Sequence, residues 1–241
     1  MLDLRMRAML GPGLAAAGGR LAAAGISPAA LTTAGWAAGA GACAATALRA
    51  WPVALGLWLA SRLADGLDGP TARAAGGGTA AGGFLDIVAD FSVYAGIILG
   101  LAVAVPGTRL ACVALLTAYY LSGTAFLALS SLAERRRLDF GDERSLRFSG
   151  GLAEGTETIA VYVLLFLLPR HATVIVWAFT AAVGVTAAQR VIAGWRMLRA
   201  PVPAASLGHA PGTTAISTTA ISTTAISTTA TATATPTARE I

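Results

Sequence analysis

Apolar runs of about twenty residues, separated by short polar connections, organise the first 199 residues of this chain. A helix needs about 20 mostly apolar residues to cross the hydrocarbon core of a bilayer. The pattern therefore predicts six spans, at residues 30–48, 51–73, 80–105, 108–132, 150–168 and 172–198. Gly and Ala dominate them, which lets helix backbones approach closely where lipid offers no hydrophobic drive between helices. The expected fold class is an all-α integral membrane protein with six transmembrane helices in one domain, residues 28–199. Residues 1–27 place Arg5, Arg7 and Arg20 along an Ala-rich stretch that Asp3 and the run Gly11-Pro12-Gly13 interrupt. That pattern predicts an N-terminal amphipathic helix lying on the membrane surface rather than a secretion signal. After Arg199 the periodicity stops. The stretch GTTAISTTAISTTAISTTATATATPTAREI repeats the pentad ISTTA and decays into Thr-Ala alternation, with no aromatic residue to build a core. Residues 200–241 are expected to form a disordered Thr/Ala-rich tail.

Composition strengthens the membrane assignment. The chain is 56% hydrophobic and 12% charged, with a mean hydropathy of +0.69, too apolar for an ordinary soluble domain. All 17 basic residues are arginine and the formal net charge is +5. No basic helix with interleaved aromatics is present, so the charge points to anionic lipid headgroups and not to nucleic acid. Arg5, Arg7, Arg20, Arg73, Arg135, Arg136, Arg137, Arg144, Arg147, Arg196 and Arg199 fall on one side of the six spans, and only Arg49, Arg109 and Arg170 on the other. The positive-inside rule then puts both termini in the cytoplasm of a multi-pass cell-membrane protein. Cys43 and Cys112 lie in apolar runs at no metal-binding spacing and are read as packing residues. His171, Trp51, Trp58, Trp177, Trp195, Tyr119 and Tyr120 are expected mostly near span ends, where amphipathic rings favour the interface.

The chemistry resides in LADGLDGPTARAAGGGTAAGGFLDIVADFS, residues 63–92. Asp65 and Asp68 stand at i and i+3 near the end of the second predicted span; Asp86 and Asp90 stand at i and i+4 near the start of the third. A short turn makes these spans antiparallel and brings the two pairs to a common depth on the cytoplasmic side. The alternative is that some of the four cap helices or pair with Arg62 and Arg73, but four carboxylates converging in apolar surroundings repel one another. A divalent ion removes that repulsion, and carboxylate oxygens are hard ligands suited to Mg²⁺, Mn²⁺ or Ca²⁺. Gly69, the run Gly76 to Gly78, Gly82 and Gly83 leave room for a ligand against the helices. Arg73 adds a planar fork for phosphate. Together these features favour a nucleotide diphosphate.

The arrangement Asp65-Gly66-Leu67-Asp68-Gly69-Pro70-Thr71-Ala72-Arg73, eight residues, Gly82, three residues, Asp86, three residues, Asp90 resembles the signature of the CDP-alcohol phosphatidyltransferase (CDP-alcohol phosphotransferase) family. It meets every fixed position of D-x2-D-G-x2-A-R-x8-G-x3-D-x3-D. The six spans and the surface-lying N-terminal helix agree with that family over residues 1–199. The stretch SPAALT, Ser27 to Thr32, resembles the family's segment before the first span, with Ala29 where many members have Asn. The resemblance implies that Asp65, Asp68, Asp86 and Asp90 hold Mg²⁺ or Mn²⁺, two ions in all. It also implies that Gly69, Arg73 and Gly82 border the CDP moiety and that Asp90 is the general base. The expected reaction moves a phosphatidyl group from CDP-diacylglycerol to an alcohol hydroxyl and releases CMP, a step of phospholipid biosynthesis. A homodimer is expected from the family alone.

For the acceptor, Arg144, Arg147 and Arg190 are candidate anion-binding residues, Arg190 because it sits inside the sixth span. Glu154 and Glu157, at i and i+3 in the fifth span, argue against inositol phosphate, whose users in the family carry arginines there. These glutamates either bind an amine or pair with Arg190. Two other functions fit part of the pattern. A divalent-cation channel or transporter accounts for the aspartates but not for Arg73 beside them. A catalytically inactive nucleotide-lipid binder accounts for the site but not for an intact signature.

Overall fold

The computed structural model describes residues 2–135 and 155–199, with side chains at 9–132 and 155–199. Every regular element among them is helical: α1 (Leu2–Ala23), α2 (Pro28–Ala47), α3 (Trp51–Ala74), α4 (Ala80–Ala104), α5 (Arg109–Arg135), α6 (Gly155–Leu167) and α7 (Ala172–Arg199). Glu154, Arg144, Arg147 and the tail 200–241 lie outside the described residues.

Local chemistry sets the helix ends. Ser27 Oγ accepts from the Ala30 N–H at 3.2 Å, and Pro28 follows at the first helical position of α2, where its missing N–H costs nothing. Thr79 does the same for α4, its Oγ1 accepting from the Gly82 N–H at 3.0 Å. Between α3 and α4 the chain turns through Gly76 and Gly77 at φ 103° and 120°, a region that side chains disfavour. One-turn 3₁₀ segments, Pro106–Thr108 and Pro169–His171, join α4 to α5 and α6 to α7.

Helix α2 is the centre of the part that carries the aspartates. It packs along both α3 and α4, whereas α3 and α4 approach each other only sparsely beyond their turn. Two small residues of α2 allow this. A Cβ at Gly35 would lie 3.2 Å from Ala64 Cβ of α3, and one at Gly39 would overlap Val93 of α4. Across the same seam, a Cβ at Gly100 of α4 would meet the Cys43 carbonyl oxygen of α2 at 2.7 Å. The result is a V whose two arms, α3 and α4, share α2 as a floor. Helix α1 lies against α3 and α6, α3 also touches α6, and α5 pairs with α7.

The core is aliphatic with an aromatic layer at its centre. Ile97, Ile98, Leu101, Leu115 and Val176 are buried around Trp58, whose ring stacks on Tyr162 at 4.9 Å and meets Tyr94 edge-on at 5.5 Å. Trp58 is 0% exposed, which corrects its reading as an interfacial ring. Position 58 is a third of the way along α3, on the face turned toward α4 and α6, and a flat indole there fills space between two tyrosines. Tyr119 is likewise packed inward, its hydroxyl 3.2 Å from that of Tyr162. Trp177, Trp195 and Tyr120 are exposed, but Tyr120 lies at the middle of α5 and of the segment Pro106–Leu132 and not near a span end. Cys112 is buried and Cys43 half-buried, both as free thiols in the packing.

Among the described residues, three helical segments are long and apolar enough to cross a membrane: Ala80–Ala104, Pro106–Leu132 and Pro169–Arg199. A fourth is reached if Met9–Ala23 and Pro28–Ala47, bent by 114° where they meet, act as one span. Of the other expected spans, α3 has the length, 24 residues, but carries Arg62, Asp65, Asp68 and Arg73. Helix α6 has 13 described residues. Helix α1 forms, but its apolar and polar residues are poorly segregated around the axis.

The close seam makes a prediction. Gly100→Ala should destabilise the bundle by about 1–3 kcal/mol, because its methyl meets a backbone oxygen that cannot rotate away. Gly56→Ala, with nothing within 4 Å of its Cβ, should be neutral or mildly stabilising. Thermal unfolding of the two variants in one detergent distinguishes these outcomes.

Candidate metal centre and active site

The three aspartates Asp65, Asp68 and Asp86 come together where the arms of the V meet. Each offers a carboxylate oxygen, and the three oxygens lie within 4.8 Å of one another. All three residues are partly buried, and Asp65 and Asp86 line a recess together with Thr32, Trp36, Arg62 and Asp90. The helical spacing brings this about. Asp65 and Asp68 are neighbours on one face of α3, and Asp86 enters from the second turn of α4, with the glycine turn holding the two helix ends together.

The donor set fits a hard divalent cation: three carboxylates, converging, with further polar groups at the rim. Three anions this close in a partly buried place repel one another strongly, and nothing of opposite charge among the described side chains lies among the three except Arg62 at one edge. Thr32 of α2 orients one of them, its hydroxyl donating to Asp68 Oδ2 at 2.9 Å. Ligating carboxylates held in this way are common in metal sites.

Asp90 is one turn further along α4 and is held differently. Its Oδ1 accepts from Arg62 Nη1 at 2.7 Å, a charge-assisted bond between α4 and α3. The same nitrogen lies 3.5 Å from Asp65 Oδ2 and 3.3 Å from the Tyr94 hydroxyl. Asp90 is thus beside the three-carboxylate group without being one of its members.

The residues expected to border a nucleotide lie at the outer rim. Arg73 is exposed in the last turn of α3 and folds back over Gly69, so that a Cβ at Gly69 would stand 3.4 Å from Arg73 Nη1. Gly82 sits in the first turn of α4, its N–H taken by Thr79. Arg190 Nη1 donates to Ser122 Oγ at 2.8 Å and its guanidinium lies over the Phe126 ring at 5.3 Å. It is not among the described residues that line the recess. Glu157 has one carboxylate oxygen, Oε2, buried without a hydrogen bond.

From the sequence alone Arg62 is only one possible partner for the aspartates, and Trp36 and Tyr94 have no role. Helical spacing carried a signal for each. Arg62 precedes Asp65 by three residues, Tyr94 follows Asp90 by four, and Trp36 follows Thr32 by four. Trp36 donates its indole N–H to Ser92 Oγ at 2.9 Å and so closes one side of the recess from α2 to α4.

Known proteins are similar to this chain in sequence and in architecture. The CDP-alcohol phosphatidyltransferase family model matches residues 26–185. The inner membrane protein YnjF of Escherichia coli (strain K12) is 40% identical over 178 residues, covering 73% of this chain and 86% of its own. Among solved structures, Mycobacterium tuberculosis phosphatidylinositol phosphate synthase (PgsA1) in complex with manganese and citrate superposes with a TM-score of 0.63 at 22% identity. It covers 76% of this chain and 88% of that one. The same synthase with CDP-DAG bound gives 0.63 at 21% identity, over 76% and 93%. These likenesses in sequence and fold, on top of a complete aspartate–glycine–arginine signature, establish that the chain belongs to the CDP-alcohol phosphatidyltransferase family.

Proposed function

We propose that this protein transfers a phosphatidyl group from CDP-diacylglycerol to the hydroxyl of an alcohol and releases CMP, in a reaction that depends on Mg²⁺ or Mn²⁺. The observation that carries the reading is the convergence of Asp65, Asp68 and Asp86, with Asp90 adjacent and Arg73 at the rim. Family membership supplies the transferase class. The PgsA1 structures support the choice of donor and ion by analogy, since that protein is described with CDP-DAG and with manganese. Its acceptor is not carried over, because at 22% identity the likeness is one of fold.

In this reading Asp65, Asp68 and Asp86 hold the ions and Asp90 completes the set. Bound divalent ions supply neutralisation of the diphosphate and of the charge that develops on the CMP leaving group. Arg73 grips phosphate oxygens with its planar fork, and the small surfaces of Gly69 and Gly82 leave room for the CDP moiety. Asp90 accepts the proton of the acceptor hydroxyl. That oxygen bonds to the phosphorus bearing the diacylglycerol, the bond from this phosphorus to CMP breaks, and a phosphodiester remains in the membrane. A site among membrane helices suits such a donor, whose acyl chains stay in lipid while the headgroup reaches the aspartates. The same reading places six helices across the membrane with α1 at its surface. Both termini and the site face the cytoplasm, a placement that the arginine distribution supports, and the protein forms a homodimer.

Two measurements test this. Purified protein given radiolabelled CDP-diacylglycerol, Mn²⁺ and a panel of glycerol 3-phosphate, serine, inositol phosphate and simple polyols should release CMP with one acceptor class. EDTA should stop the release and added Mg²⁺ or Mn²⁺ restore it. Asp90→Asn should lower kcat about 10²–10⁴-fold, and retained turnover would refute its role as base.

Calorimetric Mn²⁺ titration makes a second, substrate-free prediction. Asp86→Asn should weaken Mn²⁺ binding by more than about tenfold, and Thr32→Val, which only frees Asp68, by up to about tenfold.

A further inference from the structure

Arg62 is the one guanidinium driven into the junction of α3 and α4 among the described residues. Its side chain is 7% exposed. The guanidinium lies between two rings, 4.8 Å from the Trp58 centroid and 5.1 Å from that of Tyr94. Nη2 donates to Ser61 Oγ at 3.2 Å, while Nη1 reaches Asp90 at 2.7 Å and Asp65 at 3.5 Å. A cation in so enclosed a place is costly unless paired, and truncating it strands its partner. A cation beside a group of carboxylates also competes with any metal that group would bind. Helices α3 and α4 approach each other only sparsely here, so this guanidinium with its two rings forms the polar bridge between the arms.

We propose that Arg62 is a positioning residue of the site: it fixes the Asp90 carboxylate at the recess and ties α4 to α3, at the expense of affinity for the divalent ion. The planar fork performs both tasks at once, one nitrogen anchored on Ser61 and the other on Asp90, with the ring faces preventing rotation. A lysine ammonium at this position supplies the charge but not the two-point geometry. The two consequences have opposite signs. Removing Arg62 loosens Asp90 and slows proton transfer, yet it takes a positive charge away from the aspartates and strengthens their hold on a metal. A residue that served only to stabilise the bundle would not separate these effects.

The turnover part rests on the phosphatidyl-transfer reading; the metal part does not. Arg62→Gln and Arg62→Lys are purified in detergent, checked for monodispersity, titrated with Mn²⁺ alone, and assayed for CMP release. For Arg62→Gln the Mn²⁺ Kd should tighten at least about threefold, as loss of a nearby like charge requires. Its kcat should fall about 10–100-fold, the range for losing a group that orients a reacting residue, with KM for the CDP-lipid little changed. Arg62→Lys should keep the wild-type Mn²⁺ Kd within about twofold, because the charge is retained, and still lose several-fold in kcat. An Arg62→Gln protein that is folded and binds Mn²⁺ no better than wild type overturns the proposal, as does full turnover in Arg62→Lys. If Arg62→Gln does not fold, Arg62→Lys decides by the same two readings. If wild-type protein releases no CMP with any acceptor, the transferase reading fails, while the Mn²⁺ titrations still decide whether Arg62 opposes metal binding.

Discussion

Repulsion among carboxylates gathered at one depth is the constraint on which the rest of this structure depends. Asp65, Asp68 and Asp86 bring their oxygens within 4.8 Å of one another, and Asp90 stands one turn away. In partly buried surroundings, with weak screening, such a group opposes the closure of the helices that carry it. Compensation comes from several directions. Arg62 takes Asp90 and the edge of Asp65, and Thr32 donates to Asp68. The open rim between the helix ends leaves the three-carboxylate group available to a divalent ion.

The helix packing follows from keeping that group open. If α3 and α4 lay side by side along their lengths, their aspartates would be sealed between them. Instead α2 fills the space beneath, reaching α3 through Gly35 and α4 through Gly39, and the arms stay apart. Below the aspartates the gap is closed by rings: Trp58, Tyr94 and Tyr162 meet face to edge and face to face. This layer separates the polar recess from the aliphatic interior. The Tyr162 hydroxyl donates to the Tyr94 carbonyl at 3.0 Å, so the layer is also hydrogen-bonded across α4 and α6. Rigidity under the site and openness above it are both useful to a transferase, which must hold reacting groups in register.

Much of this was legible in the chain itself. Hydrophobic period and length announced helices, and the observed bounds of α3 and α4, Trp51–Ala74 and Ala80–Ala104, fall within a residue of the predicted segments. The glycine run appeared as the turn, with Gly76 and Gly77 at positive φ. Asp65, Asp68 and Asp86 converge as their i, i+3 and antiparallel relation required. These features depend on local geometry, which a helix repeats faithfully from its sequence. Membrane topology is less legible: α3 carries Arg62, Asp65, Asp68 and Arg73, so the hydropathy that marks a span is lowest where the charged residues are densest.

What the sequence by itself determined was therefore the helical class, the turn, the metal-type donor set and the family signature, all of which are fixed by residue type and short spacing. Only tertiary structure decided which partner each polar group takes. It put α2 between the arms, turned Trp58 into the core instead of the interface, gave Asp90 to Arg62, and set Arg190 against Ser122 and Phe126 rather than in the recess lining. Those outcomes hinge on which helix lies across which, and a guanidinium or an indole can reach in several directions from one position. Spacing along one helix fixes the face a side chain leaves from; the neighbour it meets is set by packing contacts between residues dozens of positions apart.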